Sequence, residues 1–451
     1  MNYKVSILAA MILLPQWAFP QAEPSATSSK QPALPFSGGQ QAKLQFAGER
    51  APANVLVVNA GYQAAYDDNI VLSSGLARQG DQVNSLNTYL GIFHSGARLN
   101  AVMEYTQADE FLDKLTAYNH IDQRLSTDLE LQLDPHWSLN CQDTLYDQSS
   151  PFYQGLNGGA TGELGFPSTI NTTIFIPPIN QRGNTVRTDL LWQATVRTSL
   201  SAFGGTDYRS FGSGQVLGHS LVNMTSYSSG ATYAWRMSEH STLGLLYAFE
   251  QLSLSGALPA GSPTQLDSQS ALPSLGWQAS PTIAITLFGG PAFTKVSAAQ
   301  AADDGLPHQD SRPIVGEWGA TASRQMGRSS LFLGVERTVD DGGGLTGFVQ
   351  KTSFSAGFRW QLPVRGRWDA TWNAQVAQNS SLTTETAAYR SDSQIEVFGL
   401  EHPLHDKLFA RIGYEFARQS YTGAVPFDAN FHRNRVSIGI TVHWNAISLK
   451  H

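Results

Sequence analysis

The sequence is poor in residues on which many enzymes and metal proteins depend. It contains one cysteine, Cys141, which excludes an intrachain disulfide framework and any cysteine-based zinc site. Only 14% of its residues are charged, whereas about 25% is typical of soluble domains. The net charge of −7, spread over 451 residues, argues against a nucleic-acid partner, which would require a basic patch.

Long apolar runs and common catalytic motifs are also absent. After the first 20 residues or so, no apolar run approaches the 18 or so residues that a transmembrane helix needs. No GxSxG, P-loop or HExxH pattern occurs. His219 and Ser220 are adjacent, and adjacent residues of a strand point to opposite faces, so they cannot share a proton. His402 and His405 lack a recognised metal-ligand spacing. We therefore expect no enzymatic activity, no metal and no cofactor.

The beginning of the chain has the features of an export signal. Lys4 is followed by the apolar stretch "VSILAAMILL" and by the small residues Ala18 and Ala22. This order predicts a signal peptide over residues 1–22 and export across an inner membrane. Residues 23–52 are rich in Pro, Ser, Ala and Gln, a composition that cannot bury enough apolar surface to fold. They are predicted to form a flexible periplasmic segment.

Glycine and aromatic residues, in contrast, are abundant, and alternation of apolar and polar residues recurs from residue 53 onward. The sequence contains 41 glycines, 22 phenylalanines, 15 tyrosines and 10 tryptophans. In the segment "RVSIGITVHW" (435–444), every second residue is apolar and the others are polar or glycine. This period of two predicts a strand with one apolar face. Alternation alone does not decide whether that face meets a protein core or lipid.

The lengths of the predicted connections favour lipid. About eighteen strands can be placed between residues 55 and 444, and short turns such as 237–240 alternate with long loops such as 67–82 and 298–311. Short periplasmic turns that alternate with long extracellular loops are typical of outer-membrane barrels. We therefore predict an all-β, transmembrane, antiparallel up-and-down barrel of 16–18 strands over residues 53–447. A soluble exported β protein is the alternative.

Aromatic residues near the predicted strand ends support the membrane interpretation. In outer-membrane barrels, such residues form girdles at the two interfaces between membrane and water. The residues predicted for the girdles are Tyr62, Tyr66, Tyr105, Trp137, Trp235, Trp318, Trp368 and Trp444.

Two segments resemble a known family. "AGYQAAYDDNIVLSS" (60–74) is similar to the opening strand of the β-barrel porins of type 2, and "HIDQRLSTDLELQLDPHWSLNCQDTLYDQSSPF" (120–152) resembles the hairpins that follow. The resemblance implies an outer-membrane barrel of a Gram-negative bacterium, in some cases linked with exopolysaccharide systems. It implies no catalytic residue. The chain departs from the usual pattern at its end, where "NAISLKH" follows Trp444 instead of a terminal aromatic residue.

The polar parity of the predicted strands identifies candidate residues of a pore wall. They are Glu104, Asp128, Glu130, Asp189, Arg236, Glu250, Glu317, Glu336, Asp369, Glu396, Arg411 and Glu415. Because acidic residues dominate this set, the sequence predicts a mild preference for cations. The alternative is that the carboxylates pair with Arg and Lys of neighbouring strands.

The longest predicted loop, Ser149 to Asn184, is a candidate constriction of the pore. Its candidate residues are Phe152, Tyr153, Glu163, Phe166, Phe175 and Arg182. Aromatic faces in a nearly neutral constriction suit saccharides or weakly polar solutes. The alternative is an extracellular loop without such a role.

Together these features predict an outer-membrane channel that passes small polar solutes or saccharides, in one version as an exit pore for exopolysaccharide. The expected partners are outer-membrane lipid, the barrel-assembly machinery and the solute. A non-conducting barrel with a structural or receptor role is the alternative function.

Overall fold

The structure is a computed structural model. It describes residues 54–72, 78–149, 179–212, 215–216, 219–256, 263–298, 312–340, 348–362, 368–382, 389–423 and 430–448. Twenty β-strands occur in these ranges: β1 (Val55–Asp67), β2 (Asp81–Ser95), β3 (Leu99–Leu112), β4 (His120–Gln132), β5 (Trp137–Gln148), β6 (Gln181–Gln193), β7 (Thr198–Phe211), β8 (Gln215–Val216), β9 (His219–Ser220), β10 (Asn223–Arg236), β11 (Ser241–Ser255), β12 (Pro263–Ser280), β13 (Ile283–Ala298), β14 (Ile314–Met326), β15 (Ser329–Asp340), β16 (Val349–Gln361), β17 (Asp369–Ser381), β18 (Tyr389–His405), β19 (Leu408–Gly423) and β20 (Phe431–Ser448). A 3-10 turn at Thr116–Tyr118 follows β3. Among the described residues, no helix is long and apolar enough to cross a membrane.

Eighteen of these strands form one closed antiparallel sheet. Each strand pairs with the strand before and after it, β7 pairs with β10, and β1 pairs with both β2 and β20. The short strands β8 and β9 pair only with each other in the connection between β7 and β10. Closure leaves no strand edge, so the sheet satisfies its own backbone groups. The prediction of an eighteen-stranded up-and-down barrel is confirmed.

The connections alternate in length around the barrel. Turns such as 281–282 and 406–407 join the strands at one end, which we call the turn end. The connections at the other end, which we call the loop end, run up to the one between Gln148 and Gln181. The predicted alternation is therefore confirmed, although the longest connection ends before Asn184.

The outer face of the sheet is apolar and the inner face is polar. On β20, Val436, Ile438 and Ile440 point outward and are 55%, 64% and 48% exposed. Arg435 and Ser437 point inward and are buried. A soluble sandwich would bury its apolar faces against each other, so this arrangement is the reverse of a soluble β protein. The apolar parity of "RVSIGITVHW" is the outside of the barrel.

Aromatic side chains line both ends of the outer face. Tryptophans near the turn end form the denser row: Trp137, Trp192, Trp235, Trp277, Trp360, Trp368 and Trp444. Trp137 and Trp192 stack with their ring centroids 5.8 Å apart. Exposed aromatic residues at the loop end are Tyr66, Phe111, Tyr208 and Phe293. Trp318 lies outward but several residues from the end of its strand.

Two predicted girdle residues occupy a different position. Tyr62 and Tyr105 point outward from the middle of their strands rather than from an end. Their hydroxyls donate hydrogen bonds to the side-chain oxygens of Asn84 and Gln107 at 2.7 and 2.8 Å. Each hydroxyl therefore has a hydrogen-bond partner on the outer wall itself, whereas the prediction placed it at the interface between membrane and water.

Candidate functional site

The register of the barrel decides which side chains face its interior. In an antiparallel pair, directly opposed residues lie on the same face, so the facing of one strand determines that of its neighbour. Eleven of the predicted wall residues lie on the inward parity: Glu104, Asp128, Glu130, Asp189, Arg236, Glu250, Glu317, Glu336, Asp369, Arg411 and Glu415. The inner wall is therefore the candidate functional site.

The prediction for Glu396 is wrong. Glu396 lies directly opposite Phe416 on the outward parity, and it accepts a hydrogen bond of 2.7 Å from Nε2 of Gln394. The inward positions on either side of it are instead apolar, since Ile395 and Val397 are buried in a cluster with residues of β19 and β20 and with Leu72 of the first loop, the connection between β1 and β2. The sequence analysis assigned Glu396 to the inner wall because its neighbours in the sequence are apolar. On β18, however, the charged residues near the loop end face outward.

The prediction for Arg182 is also wrong. Arg182 belongs to β6 rather than to a loop, points outward, and its Nε donates to Oδ2 of Asp147 at 2.8 Å. Its side chain is 74% exposed, so it cannot contribute to a constriction inside the barrel. The other constriction candidates, Phe152, Tyr153, Glu163, Phe166 and Phe175, lie outside the described residues.

The inner wall carries more charge of both signs than the sequence analysis recognised. The inward acidic residues are Asp67, Asp81, Glu104, Glu110, Asp122, Asp128, Glu130, Asp189, Asp207, Glu250, Glu317, Glu336, Asp340, Asp369, Glu401 and Glu415. The inward basic residues are Arg124, Arg187, Arg209, Arg236, Lys351, Arg359, Arg411, Arg433 and Arg435. Sixteen carboxyl groups therefore face nine basic side chains in the described wall.

Seven of the nine basic residues were missed, and one signal could have identified some of them. Arg433 and Arg435 share the inward parity of Ser437. The same alternation that placed the glutamates on the wall therefore placed these arginines there too.

A buried group of ion pairs crosses the line where the first and last strands meet. Arg433 of β20 binds Oδ2 of Asp67 through Nη2 at 2.6 Å and Oε1 of Glu415 through Nη1 at 3.1 Å. Arg435 binds Oε1 of Glu110 on β3 at 2.9 Å. All five side chains are at most 3% exposed. We call this group, with the two residues described next, the seam network.

A histidine continues the seam network onto β4. Nε2 of His120 lies 3.7 Å from Oε2 of Glu110 and 3.6 Å from Oδ2 of Asp122. Nδ1 of His120 donates to the carbonyl oxygen of Tyr118 at 2.8 Å, which fixes the orientation of the ring. Asp122 also accepts a hydrogen bond from the backbone N–H of Ser149 at 2.7 Å. The seam network therefore ties β19, β20, β1, β3 and β4 together near the loop end.

A second sector of the inner wall combines charge with an apolar surface. Arg187 donates two hydrogen bonds of 2.8 Å to the carboxylate of Asp189, and its guanidinium lies 4.5 Å from the ring centroid of Phe203. Phe203 packs in a cluster with inward residues of β11, β12 and β13, which include Leu246 and Leu272. Arginine beside an aromatic face is a stable arrangement because the ring quadrupole attracts the cation.

Acidic residues on the same side of the barrel have fewer basic neighbours. Glu250 accepts a hydrogen bond from Ser226 at 3.3 Å, and Glu336 accepts one from Ser353 at 3.0 Å. Lys351 lies 3.6 Å from Asp340. Some of the inward carboxylates therefore accept hydrogen bonds from hydroxyl groups instead of forming ion pairs with basic side chains.

The first loop packs on the rim beside the seam network. Burial opposes ionisation of Asp68, but hydrogen bonds from the backbone and side chain of Asn434 and the charge of Arg78 outweigh it. Together they hold the pKa of Asp68 below its ordinary value. Nη2 of Arg78 lies 2.6 Å from Oδ2 of Asp68. This loop is consequently fastened to the start of β20.

The histidines at 402 and 405 lie near the turn end of β18. His402 points outward and stacks on Trp368, with the ring centroids 4.2 Å apart. No group of three or more His, Cys, Asp or Glu residues in the described ranges is placed to hold a metal ion. The facing of the His219 and Ser220 side chains lies outside what the structure describes.

Comparison with known proteins yields likeness of structure only. No family model matches the chain, and no curated protein matches it. The resemblance to β-barrel porins of type 2 therefore stays a prediction. Among solved structures, OccK2 (OpdF) of Pseudomonas aeruginosa is similar, with a TM-score of 0.42 and 12% identity over 87% of this chain and 99% of that chain. OpdK of the same organism, solved with vanillate, has a TM-score of 0.40 and 11% identity over 86% and 99%. OccK9 (OpdG) has a TM-score of 0.42 and 14% identity over 86% and 98%.

Proposed function

We propose that the protein is an outer-membrane channel that passes small polar solutes and favours cations over anions. The observation that carries the proposal is a closed eighteen-stranded barrel with an apolar outer face and a charged inner wall. Lipid accepts only a sheet that satisfies its own backbone groups, and barrels of 16–18 strands are wide enough for an aqueous channel.

The preference for cations follows from the composition of the wall. Nine basic residues can neutralise at most nine of the sixteen inward carboxylates. A surplus of fixed negative charge raises the local concentration of cations and lowers that of anions. The loop that predicted a saccharide lies outside the described residues, so the solute class proposed here rests on the charged wall.

Planar-bilayer recording tests the proposal directly. The purified full-length protein is inserted into a bilayer that separates concentrated from dilute KCl. We expect discrete conductance steps and a reversal potential of the sign that K⁺ permeation produces. A reversal potential of the opposite sign, which Cl⁻ permeation produces, would overturn the proposed preference for cations. Heat-modifiable migration on a gel, together with outer-membrane fractionation, tests the location separately.

A second candidate is a barrel that does not conduct. Several inward side chains are almost completely buried, including Leu246 (2%), Leu272 (1%) and Ala292 (0%). Side chains that line a wide aqueous pore would be more accessible, so this observation favours a filled interior. Correctly folded protein that inserts into the bilayer but never produces steps would support this candidate.

A further inference from the structure

The described outer wall carries a polar area at a depth where most of the other outward residues are apolar. It spans β4, β5, β6, β7 and β10, and its outward residues are Thr127, Cys141, Asp143, Thr188, Thr206 and Ser229. We call this area the polar patch. Thr188, Thr206 and Ser229 are exposed, and the other three are partly exposed.

The depth of the polar patch follows from the strand on which its centre lies. Asp143 is the seventh of the twelve residues of β5, whose outward ends are marked by Trp137 and by Asp147, the partner of Arg182. A strand rises about 3.3 Å per residue and tilts by about 40° in such barrels, which places Asp143 on the order of 15 Å from Trp137. That is the middle of an apolar band about 25 Å tall.

The corresponding positions elsewhere are mostly apolar. Outward residues on β13, β15 and β19 are Leu287, Val335 and Ile412. Polar exceptions outside the patch are Thr88 on β2, Gln107 on β3 and Glu396 on β18. On β5 and β6, Asn184 donates a hydrogen bond of 2.7 Å to Oδ1 of Asp143, within the wall itself. A carboxylate in contact with lipid tails is unfavourable even when one amide covers one of its oxygens.

We infer that the polar patch is covered in the membrane by the polar patch of a second copy of this chain. The patch carries hydroxyl donors beside a carboxylate acceptor, so two copies related by a two-fold axis can satisfy each other. Gly204 lies in the same area, and the small side chains around it permit close approach of two sheets.

The section of outer wall that carries the polar patch, together with exposed apolar residues such as Leu145, Val186 and Tyr227, is large enough for this partner. Five strands about 4.8 Å apart, tilted by about 40°, cover about 30 Å of the circumference. Over a band about 25 Å tall this gives on the order of 700 Å², close to the roughly 800 Å² that each partner contributes to a standard interface.

The single cysteine offers a first test without any substitution. Cys141 lies in the polar patch, with Sγ 3.7 Å from Oγ1 of Thr188. Outer membranes that contain the protein are oxidised with copper phenanthroline. We expect a cross-linked species of two chains that is lost on reduction and is absent from Cys141→Ser. A Cys141→Ser variant with the additional change Ile412→Cys, at similar depth on the apolar wall, should stay monomeric. Equal cross-linking of both cysteines would mean random collision and would overturn the inference.

A pair of glycines offers a second test that does not depend on disulfide geometry. A Cβ at Gly204 would have one neighbouring atom, 4.0 Å away, and a Cβ at Gly316 on β14 would have none within 4 Å. Both glycines occupy outward positions of their strands, so a leucine side chain fits at either position without disturbing the barrel. We expect the wild-type protein in mild detergent to have the mass of two chains. Gly204→Leu should weaken that association at least tenfold, and Gly316→Leu should leave it unchanged.

The results distinguish a second copy from other occupants. Wild-type protein with the mass of one chain, alone or with bound lipid or a different protein, overturns the inference, as does unchanged association of Gly204→Leu. Conductance of a Gly204→Leu monomer would show that the proposed channel function stands independently of the self-association.

Discussion

The ion pairs of Arg433 allow a quantitative prediction about stability. Replacing Arg433 with methionine keeps most of the side-chain volume but leaves Asp67 and Glu415 buried without their shared cation. Removal of one partner from a buried ion pair costs about 3–5 kcal/mol, because the remaining charge stays desolvated. Here two carboxylates at most 2% exposed remain near each other. We therefore expect Arg433→Met to lower the free energy of unfolding by an amount near the upper end of that range, about 5 kcal/mol.

The matched control is an ion pair of similar geometry in a different environment. Nε of Arg182 lies 2.8 Å from Asp147, but the side chains are 74% and 42% exposed on the outer rim. Exposed ion pairs contribute about 0–1 kcal/mol. Arg182→Met should therefore change the free energy of unfolding by less than about 1 kcal/mol. Urea unfolding of protein refolded into lipid vesicles, followed by tryptophan fluorescence, measures both variants.

A rescue variant separates lost charge compensation from lost packing. Combining Arg433→Met with Asp67→Asn and Glu415→Gln removes the uncompensated charges at nearly constant volume. It should recover at least half of the lost stability, because neutral amides are far less costly to bury than carboxylates. Equal losses in Arg433→Met and Arg182→Met, or no recovery in the triple variant, would refute the role assigned to the seam network.

Three further outcomes are expected. Glu104→Gln on the inner wall should lower the permeability ratio of K⁺ to Cl⁻ in bilayer recordings, whereas Asp109→Asn, outward on the same strand, should leave it unchanged. Because the folded protein holds the pKa of Asp68 below its ordinary value, ionised Asp68 stabilises the fold above its unfolded-state pKa, and this contribution disappears as the pH falls through the folded-state pKa. Asp68→Asn should therefore flatten the decline of the gel-shift melting temperature below about pH 4. Gly183→Ala would place a Cβ against the ring of Tyr146 on β5, which must then move, and should cost about 1–3 kcal/mol in urea unfolding, while Gly316→Ala, with open space around it, should cost little.

Much of the architecture could be predicted from local pattern alone. A strand in a barrel shows one face to lipid and one to the interior, so a period of two in the sequence identifies the strand and both of its faces. The roughly eighteen strands predicted between residues 55 and 444 correspond to the eighteen strands of the observed sheet. The strand boundaries are predicted least well beside loops. There, polar residues such as Arg182 continue a strand without the alternating apolar residues that would identify it in the sequence.

Alternation of polar and apolar residues fails to predict facing where the interior is also apolar. It shows that the two faces of a strand differ, but not which face points into the barrel. On β18 the inward Ile395 and Val397 pack against β19, β20 and Leu72, while Glu396 lies on the outside, directly opposite Phe416. Nothing in the local sequence distinguishes this arrangement from its inverse. The neighbouring strand does, since Phe416 directly opposite Glu396 belongs to a face that includes the exposed Ile412 and Tyr414.

The ion-pair partners of the charged wall residues cannot be predicted from the local sequence pattern. Asp67 and Arg433 are 366 residues apart in sequence, and they meet only because β1 and β20 close the barrel. The parity of each strand places a charge on the wall, but the register of the closing strands decides whether it faces a cation or another carboxylate. This register also decides the electrical character of the interior: the same sixteen carboxylates would give a much stronger field if Arg433 and Arg435 pointed outward. A shift of β20 by one residue would have that effect and would also turn Ile438 inward, so the apolar band that holds the barrel in lipid also holds its arginines at the seam.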